Sequence, residues 1–215
     1  MSTEPDILTL AQWLSPAYPV GAFAYSHGLE LAIREGWISD AETLRAWLAG
    51  VLADGSGRSD AVFLAAAHRA ETNPEVHRID GIARAFAASA ERIRESERQG
   101  AAFAATTRAV WGLDVPDLMY PVAVGRAAGL KALPAGTTAA MYLQALASNL
   151  VSAAIRLMPL GQTNGQVVLA ALTPLCRETA REALAADPDD LWSNAWGSDI
   201  ASMRHETMEP RLFQS

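Results

Sequence analysis

Apolar side chains recur in this chain at the spacing of one face of an α-helix. Counted from residue 44, they occupy positions i, i+3, i+4, i+7 and i+8, which line up along one side of a helix. Ser39 and Glu42, which stand three residues apart just ahead of this run, predict a capping box at its start. The run consists of Leu44, Trp47, Leu48, Val51 and Leu52. Because alanine, the best intrinsic helix former, also makes up about a fifth of the 215 residues, the sequence predicts an all-α fold.

A second apolar run predicts the helix at the centre of the fold. Between residues 143 and 157, leucine and alanine form one stripe at helical spacing, and further apolar residues lie on the neighbouring faces. This distribution is typical of a helix surrounded by others. Gln144, Ser148 and Asn149 interrupt the run, which therefore falls short of the about 18 clean apolar residues of a membrane-spanning helix. No membrane span is expected.

The chain is predicted to form a single compact domain of about ten helices. Its length suits one domain, and no Gly/Ser-rich linker or clear repeat divides it. Asn73 and Asp187 are each expected to cap a helix, since each places a capping side chain directly ahead of a proline, and each marks a break between helices. The helical body is expected to comprise residues 1–202, and a C-terminal tail residues 203–215. The helices are predicted near residues 6–14, 26–36, 40–54, 58–71, 74–88, 90–111, 119–130, 136–158, 163–186 and 197–208.

Composition excludes several classes of function. The chain carries 17 Lys and Arg against 24 Asp and Glu, for a net charge of −7, whereas nucleic-acid binding needs a clustered positive field. Its single cysteine, Cys176, can form neither an intramolecular disulfide nor a zinc cluster, and is expected to be a packed thiol. The acidic N-terminal residues lack the pattern of a secretory signal. We therefore expect a cytoplasmic protein that binds neither nucleic acid nor membrane.

The first unusual segment, residues 14–30, is predicted to be a structured loop rich in aromatic residues. Pro19 blocks the continuation of a helix, and Gly21 permits a backbone conformation that other residues avoid. His27 and Glu30 could share a helix face, but two ligands are too few for a metal cage. A polar side chain satisfied at the start of a helix is therefore the favoured interpretation of His27.

The second segment, residues 156–166, turns the chain after the predicted central helix. Pro159 and Gly161 end that helix, while Thr163 and Gln166 can cap the next one. The simplest interpretation is a corner between two helices. The density of amides leaves a second interpretation open, in which they form a buried hydrogen-bond network or a polar contact surface. These amides are Gln162, Asn164 and Gln166, beside Arg156.

The third segment is the tail, residues 203–215. Pro210 ends any helix there, and the residues after it place a cation beside two apolar side chains. Two interpretations stay open: Leu212 and Phe213 fold back onto the body, or they dock with Arg211 into a partner. In the second case, removal of the tail should leave the stability of the isolated protein nearly unchanged.

The sequence contains no recognisable pattern of catalytic residues. It has no Ser-His-Asp order with an elbow glycine, no HExxH motif, and no Walker or Rossmann fingerprint. The dense charge run at residues 91–98 has helical spacing and predicts a solvated helix face. We therefore expect no catalytic, cofactor-binding or metal-binding residues, and a protein without enzymatic activity of its own.

Four sequence blocks occur in one order along nearly the whole chain. Residues 15–30 read Ser-Pro-x-x-Pro-Val-Gly-x-Phe-x-Tyr-Ser-x-Gly-Leu-Glu, and residues 120–125 read Tyr-Pro-Val-Ala-Val-Gly. The block that begins at Leu150 reads Leu-Val-Ser-Ala-x-x-Arg-Leu-x-Pro-Leu-Gly-Gln. The block that begins at Met203 reads Met-Arg-His-Glu-Thr and is followed by Arg-Leu-Phe. Together these blocks resemble the UreF-type urease accessory proteins.

The resemblance implies a non-enzymatic all-α scaffold, usually a homodimer, that binds a UreD/UreH-type accessory protein and recruits a UreG-type GTPase to apo-urease. The complex would support GTP-dependent delivery of nickel to the urease active site. By this resemblance the tail would become ordered against the UreD/UreH-type partner, through Arg204, His205, Glu206, Thr207, Arg211, Leu212 and Phe213. The loop and the corner would shape the body and the GTPase-facing surface, through Pro19, Gly21, Tyr25, Ser26, Gly161, Gln162 and Gln166.

Two alternatives from other classes stay open. An all-α dimeric transcription regulator would need basic residues around a helix-turn-helix, yet the first 50 residues contain only Arg34 and Arg45 as bases. A helical metal-binding enzyme would bind nickel tightly and stoichiometrically when purified alone.

Overall fold

The computed structural model describes residues 4–215. Over that range the chain forms ten α-helices and one short 3₁₀ turn, without a β-strand. The all-α prediction is confirmed, and each predicted helix has a counterpart. The helices are α1 (Glu4–Trp13), α2 (Leu29–Arg34), α3 (Ala41–Asp54), α4 (Ser56–Arg69), α5 (Asn73–Phe86), α6 (Ala90–Trp111), α7 (Tyr120–Leu130), α8 (Ala135–Leu157), α9 (Gln162–Ala183) and α10 (Trp196–His205), and the 3₁₀ turn covers Ala22–Ala24.

The start of α3 is set by residues next to the predicted ones. Asp40 precedes the helix, and its carboxylate accepts a hydrogen bond from the backbone N–H of Thr43 at 2.8 Å. The Thr43 hydroxyl accepts one from the backbone N–H of Asp40 at 3.1 Å. The capping box predicted at Ser39 and Glu42 is therefore wrong by one residue, because Asp40 and Thr43 satisfy the N–H groups in its place.

Two other predicted caps are also displaced. Thr72 and Glu75 form a capping box at the start of α5, in which the backbone N–H of Thr72 donates to the Glu75 carboxylate at 3.0 Å. Asn73, which was expected to be the cap, is the first helical residue. α9 begins directly after Gly161 without a side-chain cap, so the cap predicted at Thr163 is wrong.

The predicted central helix, α8, lies in the core. It packs against α9, α4, α2 and α3, and Leu143, Leu150 and Ala154 are buried in these contacts. By length and composition alone α8 could cross a membrane, but half of its most apolar stretch is buried by the rest of the protein, as in a core helix. Cys176 of α9 is buried in the same core, as predicted, and this burial raises the pKa of its thiol to about 11.

The contact between α4 and α7 depends on a glycine. A Cβ on Gly125 of α7 would stand 2.2 Å from the backbone carbonyl oxygen of Leu64 in α4. No side chain larger than a hydrogen atom fits this gap, so the two helices meet backbone to backbone.

An aromatic cluster fastens α1 and the loop that follows it to α6. The fully buried ring of Trp13 meets Phe103 edge to face, with ring centroids 5.5 Å apart. Tyr18 packs on the same Phe103 ring, and its hydroxyl lies 3.0 Å from the hydroxyl of Thr107. These contacts fix the start of the proline-glycine loop on the helical body.

Candidate functional site

The proline-glycine loop and the tail come from distant parts of the sequence and meet beside α8. The backbone N–H and the hydroxyl of Ser26 both donate to the backbone carbonyl oxygen of Ser215, at 2.7 and 2.5 Å. The structure thus brings together two of the three segments that the sequence singled out. We call residues 22–30 and 211–215 the loop–tail platform.

Glu30 binds the backbone of the tail. Its carboxylate oxygens accept hydrogen bonds from the N–H groups of Leu212 at 2.8 Å and Phe213 at 2.9 Å. The Phe213 ring is buried, and its centroid lies 4.5 Å from the guanidinium carbon of Arg156. Arg156 also donates to the carbonyl oxygen of Phe23 at 3.0 Å. One side chain of α8 therefore contacts both segments of the platform.

The platform exposes two large apolar side chains. Phe23 is 71% exposed and Leu212 is 73% exposed, although hydrogen bonds hold the backbone of both. Such side chains suit a docking surface, because their burial gains free energy without the cost of ordering the backbone. Of the two interpretations of the tail, fold-back is confirmed for Phe213, while Leu212 stays accessible to a partner.

His205 holds the end of α10 in a buried cluster of charged groups. Its ring is fully buried, with Nδ1 2.8 Å from the Glu91 carboxylate and Nε2 3.4 Å from the Glu30 carboxylate. The guanidinium of Arg211 binds the other carboxylate oxygen of Glu91. Glu206 accepts a hydrogen bond at 2.8 Å from the backbone N–H of the first residue of α6, and so stabilises the N-terminus of that helix.

A second buried network links the loop to α4, α6 and α8. Nε2 of His27 lies 2.7 Å from the Glu95 carboxylate and 2.8 Å from the Arg92 guanidinium, and Arg92 pairs with Glu95 at 2.8 Å. Asp60 accepts a hydrogen bond from the Tyr142 hydroxyl at 2.8 Å. Burial alone would raise the pKa of Glu95, but the charges of Arg92 and His27 outweigh it and lower that pKa to about 2. For Asp60 burial prevails, and its pKa is raised.

The backbone at the start of α2 is left-handed at two successive residues. His27 has a φ of 54° and Gly28 a φ of 76°. A Cβ on Gly28 would stand 2.5 Å from the backbone nitrogen of Ser202 in α10, so only glycine permits this approach of the two helices. The contact between His27 and Glu95 holds the histidine in a conformation that few non-glycine residues adopt.

The acids of α6 were missed by the sequence interpretation. The run at residues 91–98 is not the predicted solvated face, because Glu91 and Glu95 are 3% and 2% exposed. A signal for this burial is present in the sequence. Glu91, Glu95, Gln99 and Phe103 follow one another at intervals of four and share one face of α6, which is apolar at Phe103. The prediction of a solvated face is therefore wrong for this side of the helix.

The helix corner contributes to the site through one residue. Arg156 contacts the platform, as described above, whereas Gln162 and Gln166 are exposed at the start of α9. Asn164 donates to the backbone carbonyl oxygen of Leu160 at 3.0 Å. A buried amide network does not form from the two exposed glutamines, and the interpretation that remains for them is a polar contact surface.

The residues expected from the resemblance fall into two groups in the tail and the loop. The first group is buried and shapes the site: Tyr25, Ser26, His205 and Phe213. The second group is exposed and accessible to a partner: Pro19, Arg204, Glu206, Thr207, Arg211 and Leu212.

The buried charged groups of the site form a network that holds chain segments together. Within residues 4–215, no three His, Cys, Asp or Glu side chains come together as potential metal ligands. The buried carboxylates bind arginine, histidine and backbone N–H groups instead. This arrangement holds chain segments in fixed positions relative to one another.

The chain is similar to known proteins over nearly its whole length. The family model for UreF matches residues 38–173. The chain is 51% identical over 213 residues to the urease accessory protein UreF of Ruegeria pomeroyi, with 99% of this chain and 98% of the relative covered. It is 54% identical over 215 residues to that of Roseobacter denitrificans, with coverages of 100% and 96%. The similarity therefore includes the loop–tail platform as well as the helical body.

Proposed function

Because the chain belongs to the UreF family of urease accessory proteins, we propose that it acts as a scaffold with no catalytic residues of its own. It binds a UreD/UreH-type accessory protein and a UreG-type GTPase on apo-urease, and the assembled complex supports GTP-dependent delivery of nickel, the cargo of the reaction. The scaffold works by holding its partners together, which raises their effective concentration to about millimolar. It is cytoplasmic and homodimeric.

The loop–tail platform is the observation that carries this proposal. It presents Phe23 and Leu212 to solvent on a hydrogen-bonded backbone. We assign this surface to the UreD/UreH-type partner. The buried residues His205 and Phe213 then act by positioning the tail. The exposed residues that contact the partner are Arg204, Glu206, Thr207, Arg211 and Leu212.

The GTPase-facing surface is assigned to the corner and to the turn of the loop that precedes Phe23. Exposed amides can both donate and accept hydrogen bonds, which suits a polar contact surface. Gln162 and Gln166 supply them, next to the turn at Gly161. In the loop, Pro19 and Gly21 form the accessible turn, while the buried residues Tyr25 and Ser26 hold it on the body.

Co-expression with the UreD/UreH-type partner, followed by affinity capture and size-exclusion chromatography, tests the platform. Leu212→Asp should lower the recovery of the partner by about tenfold or more, because it places a carboxylate in the apolar contact. The isolated variant should keep its helicity and its melting temperature, since the side chain is exposed.

The matched control is Val110→Asp. It introduces the same charge at a side chain that is 60% exposed, near the end of α6 opposite to Glu91, and should leave the recovery unchanged. Recovery of the partner by the Leu212 variant at the wild-type yield would show that this surface is not the docking site.

A further inference from the structure

A cavity of about 180 Å³ lies between the proline-glycine loop, residues 14–30, and the helices α6 and α8. Phe23 of the loop–tail platform and Ser152 of α8 both line it and are both exposed, so the cavity opens to solvent beside the platform. A cavity of about 150 Å³ is large enough to hold a benzene ring. This one therefore has room for one six-membered ring with a small substituent.

The cavity favours a neutral occupant. Arg92 pairs with Glu95 at 2.8 Å and lies 3.6 Å from the carboxylate of Asp60, and Nε2 of His27 lies 2.7 Å from Glu95. Among the described residues of the lining, each charged side chain thus has a partner of opposite charge. The other walls are largely apolar, which suits a hydrocarbon ring. Among the apolar residues that form them are Leu14, Val20, Ala22, Phe23, Ala145 and Leu146.

Gln99 contributes an unpaired acceptor to the wall of the cavity. The residue is 5% exposed, and its Nε2 donates to the Glu95 carboxylate at 3.0 Å, which fixes the orientation of the amide. Its Oε1 has no hydrogen-bond partner among the described residues. This oxygen is not one of the unpaired atoms that are sealed within the packing, so it is open to the cavity that Gln99 lines. Buried polar groups are rarely left unpaired, and Oε1 therefore indicates a donor in the cavity.

The hydroxyl of Tyr120 is a second unpaired group in the same wall. The backbone N–H of Tyr120 donates at 3.0 Å to Ser96, which lies three residues before Gln99 on α6, so the two unpaired groups stand on neighbouring parts of the wall. The Tyr120 hydroxyl itself makes no hydrogen bond with the described residues. Burial raises the pKa of this hydroxyl, which keeps its proton and can donate it.

We propose that this cavity receives a tyrosine side chain of the UreD/UreH-type partner. The entering phenol donates to Oε1 of Gln99 and accepts from the hydroxyl of Tyr120, and its ring packs on Val20 and Leu146. Because Phe23 belongs to the platform and lines the opening, a protein that covers the platform also covers the cavity. The inference rests on the proposed function for this partner, and names the side chain that anchors it.

Other side chains fit the cavity less well. A phenylalanine ring fills the same space but leaves Oε1 of Gln99 and the Tyr120 hydroxyl unpaired. A tryptophan N–H can donate to Oε1 but cannot accept from the hydroxyl. A lysine, arginine or carboxylate brings a charge that no group of the lining is free to balance. One hydroxyl that both donates and accepts satisfies the two groups together.

The test uses the full chain and two capped amino acids, acetyl-tyrosine-amide and acetyl-phenylalanine-amide, which differ by a single hydroxyl. Carbon–proton NMR follows the methyl signals of Val20 and Leu146, assigned through Val20→Ile and Leu146→Met. The tyrosine derivative should shift both sets of signals saturably. The phenylalanine derivative should bind about tenfold more weakly, because it leaves two buried polar groups unpaired.

Tyr120→Phe separates a binding role from a structural one. It should weaken the tyrosine derivative about tenfold and leave the binding of the phenylalanine derivative unchanged, since only the former has a partner for the hydroxyl. The melting temperature should stay within about 2 °C of the wild type, because the hydroxyl has no partner within the described protein.

The matched control is Tyr18→Phe. Tyr18 packs on the same Phe103 ring as Tyr120 but lies outside the cavity lining, so the loss of its hydroxyl should leave both affinities unchanged. Equal binding of the two derivatives, an equal effect of the two variants, or no methyl shift at up to about 20 mM of the tyrosine derivative would overturn the inference.

Co-expression separates this inference from the proposed function. Tyr120→Phe should lower the recovery of the UreD/UreH-type partner when that partner is at limiting concentration. If the wild-type chain recovers no such partner, the proposed function fails, even where the tyrosine derivative binds. If the wild-type chain recovers the partner and Tyr120→Phe recovers as much of it, the inference alone fails.

Discussion

Glu95 is 2% exposed and lies among Arg92, His27 and the hydroxyl of Ser215, which donates to it at 2.7 Å. A carboxylate this deeply buried stays ionised because these partners replace the water that it has lost. A neutral amide of the same shape would leave the buried guanidinium without its closest counter-charge. The network that joins the loop, α6 and the tail therefore depends on this single charge.

We expect Glu95→Gln to lower the free energy of unfolding by about 3 kcal/mol near neutral pH. The folded-state pKa of about 2 lies below the usual 4.5, so ionisation of Glu95 stabilises the fold above pH 4.5. This stabilisation is lost as the pH falls towards 2. In urea denaturation, the difference in unfolding free energy between wild type and variant should therefore stay constant down to about pH 4.5 and narrow from there towards pH 2.

Glu97→Gln is the control for this prediction. Glu97 lies on the same helix, and its side chain is 41% exposed. Loss of its charge should change the free energy of unfolding by less than about 1 kcal/mol. If the difference in unfolding free energy between wild type and the Glu95 variant stayed constant over the whole pH range, Glu95 would not be ionised in the folded protein as we assign it.

At the scale of helices, periodicity and chain breakers were sufficient to predict the elements. The helix predicted at 90–111 is α6, and the one predicted at 136–158 is α8, displaced by one residue. Caps were harder to predict, because neighbouring residues such as Ser39 and Asp40 have similar capping strength. The choice between them depends on which side chain reaches the N–H group at N3, and this is a property of the folded backbone.

The candidate site was predictable only in part. The loop and the tail stand out in the sequence because proline, glycine and aromatic residues are concentrated there. The pairing of His27 with Glu95 spans 68 positions, and the pairing of Glu30 with Phe213 spans 183. A local pattern contains no information about such distances, so the charges of α6 were assigned to solvent.

Replacing a helical glycine by alanine should change the stability of the protein in opposite directions at two positions. Gly125→Ala should destabilise the protein by about 2 kcal/mol, because the new Cβ would stand 2.2 Å from the carbonyl oxygen of Leu64 and force α4 and α7 apart. Gly81→Ala, in α5, meets nothing within 4 Å and should stabilise it by about 0.5–1 kcal/mol. Chemical denaturation of both variants measures these changes, and a neutral Gly125 variant would contradict the close contact.

At the scale of the whole molecule, the tail is part of the packed structure. α10 contacts α2 and α6, and His205 and Phe213 are both buried. The predicted division into residues 1–202 and 203–215 passes through α10, which ends at His205. We therefore place the boundary of the tail after this helix. The tail combines two roles that the sequence interpretation had treated as alternatives, since its buried side chains stabilise the body and its exposed ones remain available.

Deletion of residues 206–215 should therefore destabilise the isolated protein, contrary to the expectation from the sequence that loss of the tail is neutral. It removes Phe213 from the core and takes away the N–H groups and the guanidinium that pair with Glu30 and Glu91. We expect a loss of about 4 kcal/mol, and a melting temperature lower by about 10 °C in scanning calorimetry.

Leu212→Asp is the matched variant for this deletion, and its melting temperature should stay within about 2 °C of the wild type, because the side chain is 73% exposed. A deletion variant that melts with the wild type would show that the tail does not stabilise the body. If the deletion variant has a lowered melting temperature, its failure to capture a partner could reflect lost folding as well as lost docking. Leu212→Asp separates the two causes, because it changes the surface that a partner would contact while the buried contacts of Glu30 and Phe213 persist.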